Sequence, residues 1–462
     1  MNAIDELQQQ ALSIFEDALA ACDIDRAFER HLHFEGKTLV LDDDGEGNTR
    51  RIDLDDYKRL IVISFGKAGA SMLAALMQRI PDGIDVRGLC SSPEPTEIKY
   101  RHFKFFTGGH PLPNQDSLAA GREALDILRK IRKDSFVLYL ISGGGSAMLE
   151  TALDKQIPME DIRAFHETLV ACGATISEVN TVRRFFSGVK GGRLAQAAGG
   201  CDKLTLLLAD VPLREMEAVA SSPTLPNQTP LAACEEVLER YQLLEVFPAS
   251  VRRFFEELRA GEWPLPPSAE DVAFHNADFR VLLSNHDFVD AAQRAAEDLG
   301  YAVTVDNSCD DWDYEAASRY LLDRFHTLRL ESSKTCLISS GELSVKLPVE
   351  HGCGGRNQQF ALTCAFDLAR FEGLPMVVLS AGSDGVDGNS PAAGAMADTT
   401  TLARARQQNF DPEAHRRHFD ACPLFTAIGD SIVTGPTGNN LRDLRIFVAA
   451  APAQLSINES DR

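Results

Sequence analysis

The ten cysteines of the chain, spread from Cys22 to Cys422, contain no CxxC pair and no zinc-like spacing. That excludes a zinc-ribbon or thioredoxin-type centre and fits reduced thiols, most of them small buried residues, in a cytoplasmic protein. No apolar run approaches a membrane span, and the start, Met1-Asn2-Ala3-Ile4-Asp5-Glu6-Leu7, has neither the basic nor the apolar region of a leader. Neither membrane insertion nor secretion is expected. Positive charge is scarce: 46 Lys and Arg stand against 68 Asp and Glu, a net charge of −22 that argues against nucleic-acid and anionic-membrane partners.

Several catalytic signatures are also missing. There is no GxxxxGK[ST] loop, since Gly66-Lys67 lacks the upstream glycine and Ala68 follows it. HRD, DFG and HExxH do not occur, and Gly143-Gly144-Gly145 is followed by Met148 where a GxGxxG loop places its last glycine. P-loop, protein-kinase and zincin chemistry are thereby excluded, and a nicotinamide-dependent oxidoreductase is disfavoured.

What is present is an ordinary globular composition, 44% hydrophobic and 25% charged over 462 residues, enough for two or three domains. Ile4, Leu7, Ala11, Ile14, Phe15 and Ala18 recur at helical spacing, predicting an amphipathic helix over 4–21. A hairpin follows, with its turn at Asp43-Asp44-Gly45-Glu46-Gly47-Asn48. From there apolar strand, glycine loop and helix alternate: 60–64 into Gly66-Lys67-Ala68-Gly69, 103–106 into Gly108-Gly109-His110-Pro111, and 136–142 into Gly143-Gly144-Gly145-Ser146 with a helix expected after it. Such alternation predicts a parallel sheet covered on both faces, with ligands at the carboxyl ends of its strands. Prolines at 223–230 and Trp263-Pro264-Leu265-Pro266-Pro267 interrupt the pattern. The expected division is therefore a doubly wound domain over 1–245, a linker over 246–274 and a second, smaller α/β domain over 275–462. Strands are expected in the second domain at 279–283, 301–305, 335–338, 375–379 and 444–448.

The candidate chemistry lies in the loops. Gly352-Cys353-Gly354-Gly355-Arg356 and Thr434-Gly435-Pro436-Thr437-Gly438 join the earlier glycine loops as backbone cradles for oxyanions, and Lys67 and Arg356 stand in two of them as cations. Arg183, Arg184, Lys190 and Arg193 crowd into one basic run that could clamp a phosphate or a carboxylate. Asp210 ends a strand, and Asp384 and Asp387 lie in Ser383-Asp384-Gly385-Val386-Asp387-Gly388; such carboxylates could hold Mg²⁺ or accept a hydroxyl proton, or simply shape turns.

Taken in order, Gly66-Lys67-Ala68, Gly108-Gly109-His110-Pro111-Leu112-Pro113, Ser142 to Ser146, Asn180-Thr181-Val182-Arg183, Val189-Lys190-Gly191-Gly192-Arg193, Gly354-Gly355-Arg356-Asn357-Gln358, Asp384 to Gly388 and Thr434 to Asn439 resemble the glycerate 2-kinase family. That family pairs a Rossmann-like domain with a MOFRL domain across an interdomain cleft. The resemblance implies ATP- and Mg²⁺-dependent phosphorylation of D-glycerate to 2-phosphoglycerate, with a homodimer left open. It implies catalytic roles for Lys67, Arg356 and Asp210, and nucleotide or phosphate contacts from Ser142, Gly143, Gly144, Gly145, Ser146, Lys190, Gly354 and Gly355. It further implies substrate contacts from Arg193 and Asn357 and a metal site at Asp384 and Asp387. Members are also labelled hydroxypyruvate reductases, which supplies the alternative reading. The chain departs from the family pattern at Leu213, Arg214, Ser222, Cys353 and Gln359, so altered substrate preference, or a ligand-binding protein without turnover, is a further alternative.

Overall fold

The computed structural model describes residues 2–42, 49–96, 99–209, 219–332, 334–371 and 374–450. The turn expected at 43–48, Asp210, Leu213 and Arg214 lie outside the described residues. The chain forms two compact units, Ile24–Ser284 and Met1–Asp23 with Asn285–Arg462.

In the first of these a small antiparallel sheet, β1 (Leu32–Glu35), β2 (Thr38–Leu41) and β3 (Arg50–Asp53), contains the expected hairpin strands. The main sheet has six parallel strands: β4 (Arg59–Phe65), β5 (Val86–Ser92), β6 (Phe103–Thr107), β7 (Ser135–Ile141), β8 (Lys203–Ala209) and β9 (Ala277–Ser284). Their spatial order is β6-β5-β4-β7-β8-β9. Counted from β4 this is 3-2-1-4-5-6, the order of the doubly wound dinucleotide-binding fold, in which the chain reverses direction between the first and fourth strands. Every residue of β7 and β8 is buried, as a parallel sheet covered on both faces requires. Ligands in such sheets bind outside the carboxyl ends of the strands at the reversal, here the loops after β4 and β7.

The second unit carries β10 (Ala302–Val305), β11 (Lys334–Ser340), β12 (Met376–Gly382), β13 (Gly394–Asp398), β14 (Ser431–Ile432) and β15 (Asp443–Ala450). They order as β10-β11-β15-β12-β13-β14, where among the described residues β10 and β11 pair parallel and the other neighbours antiparallel. The helix Ala3–Ala21 belongs here: its buried stripe of Leu7, Ala11, Ile14, Phe15 and Ala18 faces β12, β15 and the helix Asn285–Asp298, where Phe15 meets Phe288 edge-on at 6.1 Å.

The units therefore divide elsewhere than at 246–274. The run at 279–283 reads as a strand of the second domain, but β9 pairs parallel with β8 and completes the first sheet. Within 246–274 the helix Ala249–Arg259 buries Val251, Phe254, Phe255 and Leu258 in an aromatic core with Phe165, Phe186 and Phe247. These residues are core of the first unit, not linker. The helix expected after the Ser142 loop is also short, Gly145–Met148. No helix among the described residues is long and apolar enough to cross a membrane.

Candidate active site

The two loops at the sheet reversal are tied to each other by backbone bonds. Lys67 donates its N–H to the Gly143 carbonyl at 2.8 Å, and the Ala68 N–H donates to Ser142 Oγ at 3.0 Å. Gly144 has φ of +77°, and a Cβ placed on it would lie 2.8 Å from the His110 ring and 3.2 Å from Lys67 Cγ. Lys67 and His110 thus both crowd Gly144, and only glycine leaves room for the two side chains. The pocket wall and then the Lys67 ammonium push the His110 pKa down, so the imidazole is neutral at pH 7 although its outer edge is exposed.

Gly143, Gly144 and His110 line one side of a cavity of about 230 Å³, lined also by Ser146, His166, Asn180 and Arg183, with Val170 and Ile176 at an exposed rim. Ser146 Oγ pairs with Ser221 Oγ at 2.7 Å, and Ser221 donates to Asn180 Oδ1 at 2.8 Å. Ala220, Ser221 and Ser222 all hold positive φ, between +48° and +59°. Three successive non-glycine residues in the left-handed region are costly, and strain of this kind gathers at ligand sites.

Behind the cavity sits a buried charged cluster. Glu150, fully buried, accepts from Lys190 Nζ, from Ser187 Oγ at 2.5 Å and from the Thr151 N–H at 2.8 Å, and lies 3.1 Å from His166 Nε2. Burial opposes its ionisation, but the Lys190 charge and the His166 contact outweigh that and lower the Glu150 pKa to about 2. Burial pushes the His166 pKa down to about 4, so that imidazole is neutral. Lys190, expected as a phosphate donor, is instead 1% exposed and bound to this carboxylate. Arg193, expected at the substrate, gives Nη1 to the Leu265 carbonyl at 3.3 Å and Nη2 to the Pro264 carbonyl at 2.8 Å, tethering the proline-rich segment.

Arg183 is the residue that reading the sequence did not single out from its basic run. It is 8% exposed, its Nε has no hydrogen-bond partner among the described residues, and its Nη1 reaches Asn180 Oδ1 only at 3.5 Å, the far limit of a bond. Its neighbour Arg184 differs in donating to Thr229 Oγ1 at 3.1 Å and does not line the cavity.

In the second unit the Gly352–Arg356 loop leads into the helix Arg356–Leu368. Its N-cap, Gly355, has no side chain to satisfy the first N–H groups. Asp387 does so from another loop: Oδ1 accepts from the Asn357 N–H at 3.0 Å and Oδ2 from the Gln358 N–H at 2.8 Å. A Cβ on Gly355 would stand 2.3 Å from Asp387 Oδ1, so this docking requires glycine. Burial raises the Asp387 pKa to about 7 despite the two backbone bonds, with the Asp443 charge adding to the rise. Asn357, expected at the substrate, accepts from Ser380 Oγ at 2.7 Å and is buried. Gly354 donates its N–H to Asn389 Oδ1 at 2.8 Å.

Arg356 is clasped by two carboxylates. Nε and Nη2 donate to Asp443 at 2.5 and 3.1 Å, and Nη1 donates to Glu342 Oε2 at 3.2 Å. Burial works against its charge, but Asp443 and Glu342 hold the pKa above the ordinary value. Of the two aspartates expected at a metal, Asp387 is engaged at the helix start, where each of its oxygens accepts one backbone N–H. Asp384 is half-buried, and its Oδ1 and that of Asp443 both lie 3.2 Å from where a Gly382 Cβ would be. Among the described residues no group of three or more His, Cys, Asp or Glu is placed to hold a metal by itself.

Cys353 is joined through its backbone to Asp420 Oδ1 at 2.8 Å and to the Cys422 N–H at 3.0 Å. Burial and the adjacent Cys422 thiol push its pKa up to about 11. The thiol therefore faces the helix Ala421–Ile428 and stays protonated at pH 7.

With this geometry in place, two family models match the chain, a domain of unknown function (DUF4147) over residues 10–256 and the MOFRL family over 335–443. A Pyrococcus horikoshii protein named glycerate 2-kinase is 30% identical over 85% of this chain and 88% of its own length. An Agrobacterium vitis protein provisionally named a hydroxypyruvate reductase is 32% identical over 84% of this chain and 99% of its own. The solved structure of Thermotoga maritima glycerate kinase superposes with a TM-score of 0.78 and 26% identity, covering 96% of this chain and 100% of that one. With a first unit of doubly wound order, a MOFRL match in the second and kinship over most of its length, the chain belongs to the glycerate 2-kinase family.

Proposed function

We propose that this protein transfers the γ-phosphoryl group of ATP to the 2-hydroxyl of D-glycerate, giving 2-phosphoglycerate and ADP. The observation that carries the reading is the kinship to named glycerate kinases over most of the chain, in a fold whose Lys67 stands beside a cavity at the sheet reversal. In phosphoryl transfer the protein's task is to position the reactants and neutralise charge spread over the phosphoryl oxygens. Lys67 serves that charge, and the Gly143, Gly144 and Gly145 backbone shapes the cradle. Arg356 is a second cation, held in one geometry by Asp443 and Glu342. Asp384, rather than the helix-bonded Asp387, would hold a Mg²⁺ ion, which would supply further charge neutralisation when bound. One or two carboxylates with substrate phosphates suffice for this ion, so a three-residue cage is not required.

The test is ADP formation from ATP and Mg²⁺ across small hydroxy acids, with enolase accepting the product directly without a mutase. Lys67→Ala should lower kcat on the order of a hundredfold or more, as loss of a transition-state contact does. No ADP from any hydroxy acid would overturn the reading. Hydroxypyruvate-dependent NADH oxidation would favour reductase activity instead, the reading suggested by the Agrobacterium relative and opposed by the missing GxGxxG.

A further inference from the structure

The cavity beside Lys67 has a buried guanidinium, that of Arg183, in its wall. Lys190 and Glu150 form a buried pair behind that wall, and among the described residues the Arg183 guanidinium makes no hydrogen bond or ion pair to a carboxylate, feeling the Glu150 charge only through space while that carboxylate is bonded to Lys190. A guanidinium presents a planar fork of donors and cannot shed its proton in a protein, so leaving it desolvated without a partner is expensive. Arg183 nevertheless lines the cavity with its Nε unbonded, and the Ser146–Ser221–Asn180 hydrogen-bond chain is built alongside it on a strained left-handed segment. A structure that maintains such an arrangement is organised for an anion that arrives from outside.

The size of the cavity narrows the anion. At about 230 Å³ it falls below the roughly 300–1,000 Å³ typical of pockets that enclose drug-sized ligands. A small organic acid fits within that volume, which is too small to enclose a nucleoside triphosphate whole. A carboxylate is planar and matches the guanidinium fork with two parallel N–H···O bonds. His110 and Ser146, on the same cavity wall, offer neutral polar groups to hydroxyls.

We propose that this cavity is the acceptor subsite and that Arg183 binds the carboxylate of the hydroxy acid, oriented by Asn180. The proposal rests on the kinase reading for the identity of the acid, but the carboxylate site itself is separable from turnover. Arg183, rather than Lys190 or Arg193, then determines why the substrate is an acid and not a neutral polyol.

The experiment compares wild type with Arg183→Gln and Arg183→Lys, each checked for folding by its thermal melt. In steady-state kinetics Arg183→Gln should raise KM for D-glycerate on the order of 30- to 100-fold, the usual cost of losing one side of a buried charged contact. KM for ATP should stay within about threefold, as for a residue outside the nucleotide site. Wild type should reject D-glyceramide, which lacks the charge, whereas Arg183→Gln should lose that discrimination and Arg183→Lys should retain part of it. Calorimetry with D-glycerate alone, without ATP, reads the site independently of catalysis: wild type should bind it and Arg183→Gln should not. If wild type binds D-glycerate and other small carboxylates but phosphorylates none, the kinase reading fails and the site stands. A rise confined to KM for ATP, or unchanged constants for both substrates, overturns the site. Should both variants fail to fold, wild type treating D-glycerate and D-glyceramide alike overturns it.

Discussion

Glu150 and Asp387 are both buried carboxylates beside a glycine-containing loop, one in each unit, and they titrate in opposite directions. Glu150 has the Lys190 ammonium against it and its pKa falls to about 2, whereas Asp387 has two backbone N–H donors, the Asp443 charge nearby, and a pKa raised to about 7. A full counter-charge outweighs desolvation; dipolar donors beside a second carboxylate do not. The same contrast governs the cations. In the first unit the carboxylate is committed to Lys190 and Arg183 is left facing a cavity, whereas in the second Asp443 and Glu342 both close on Arg356. A glycine loop with a basic residue reads alike in both places, yet in one the arginine faces a cavity and in the other two carboxylates hold it in place.

The most severe way to break this contrast is to remove one carboxylate from each unit. Glu150→Ala strands a buried ammonium, and loss of one partner from a buried pair costs about 3–5 kcal/mol. Asp443→Asn keeps a hydrogen-bonding amide and leaves Glu342 beside an Arg356 side chain that is 34% exposed, so the cost should be nearer about 1 kcal/mol. Urea unfolding of the two variants checks the difference. Equal losses would mean that the burial of Lys190 does not distinguish the two sites.

A pH series sharpens the contrast at intermediate cost. The ordinary value for Glu150 is 4.5 and its folded value is about 2, so its contribution is present above 4.5 and is lost as pH falls toward 2. Asp387 starts from 3.8 and rises to about 7 in the folded protein, so its protonated form is favoured there and its contribution is lost as pH rises through that window. Compared with Glu150→Gln, wild type should lose its advantage in acid; compared with Asp387→Asn, it should lose its advantage toward neutrality. Stability curves from pH 3 to pH 8 read both signs. Parallel curves for either pair would remove that carboxylate from the account.

Why the sequence exposes some of this and hides the rest is physical. Strands β4, β7 and β8, with the loops at their ends, are legible because a fully buried parallel strand is a continuous apolar run and its loop must turn sharply. The membership of β9 is not, since an apolar run fixes a strand but not its neighbour, and a proline-rich stretch looks like a boundary even where helix Ala249–Arg259 packs into the core. Arg183, Lys190 and Arg193 are indistinguishable within one basic run. What separates them is the distant Glu150, the Pro264 carbonyl and the empty side of a cavity. Asp387 likewise looks like a metal ligand in Asp-Gly-Val-Asp-Gly until the helix that it caps, thirty residues earlier, is placed against it.

The smallest effect is expected at Cys353, where the family pattern has glycine and the chain has a side chain. If the backbone there had to approach a phosphate, the thiol would obstruct it and Cys353→Gly would raise activity. The observed packing argues otherwise. Cys353 sits with its thiol beside Cys422 and its backbone bonded to Asp420 and Cys422, while the close approach in this loop belongs to Gly355 against Asp387. Cys353→Gly should therefore leave kcat/KM within about twofold and cost roughly 0.5–1 kcal/mol of stability through the added freedom of glycine in the unfolded chain. Gly355→Ala, by contrast, should disturb the docking of Asp387 on the helix start, and the two substitutions measured side by side locate which position of the loop the arginine depends on. A tenfold gain of activity in Cys353→Gly would mean that the thiol, not the carboxylate clasp, limits what Arg356 can reach.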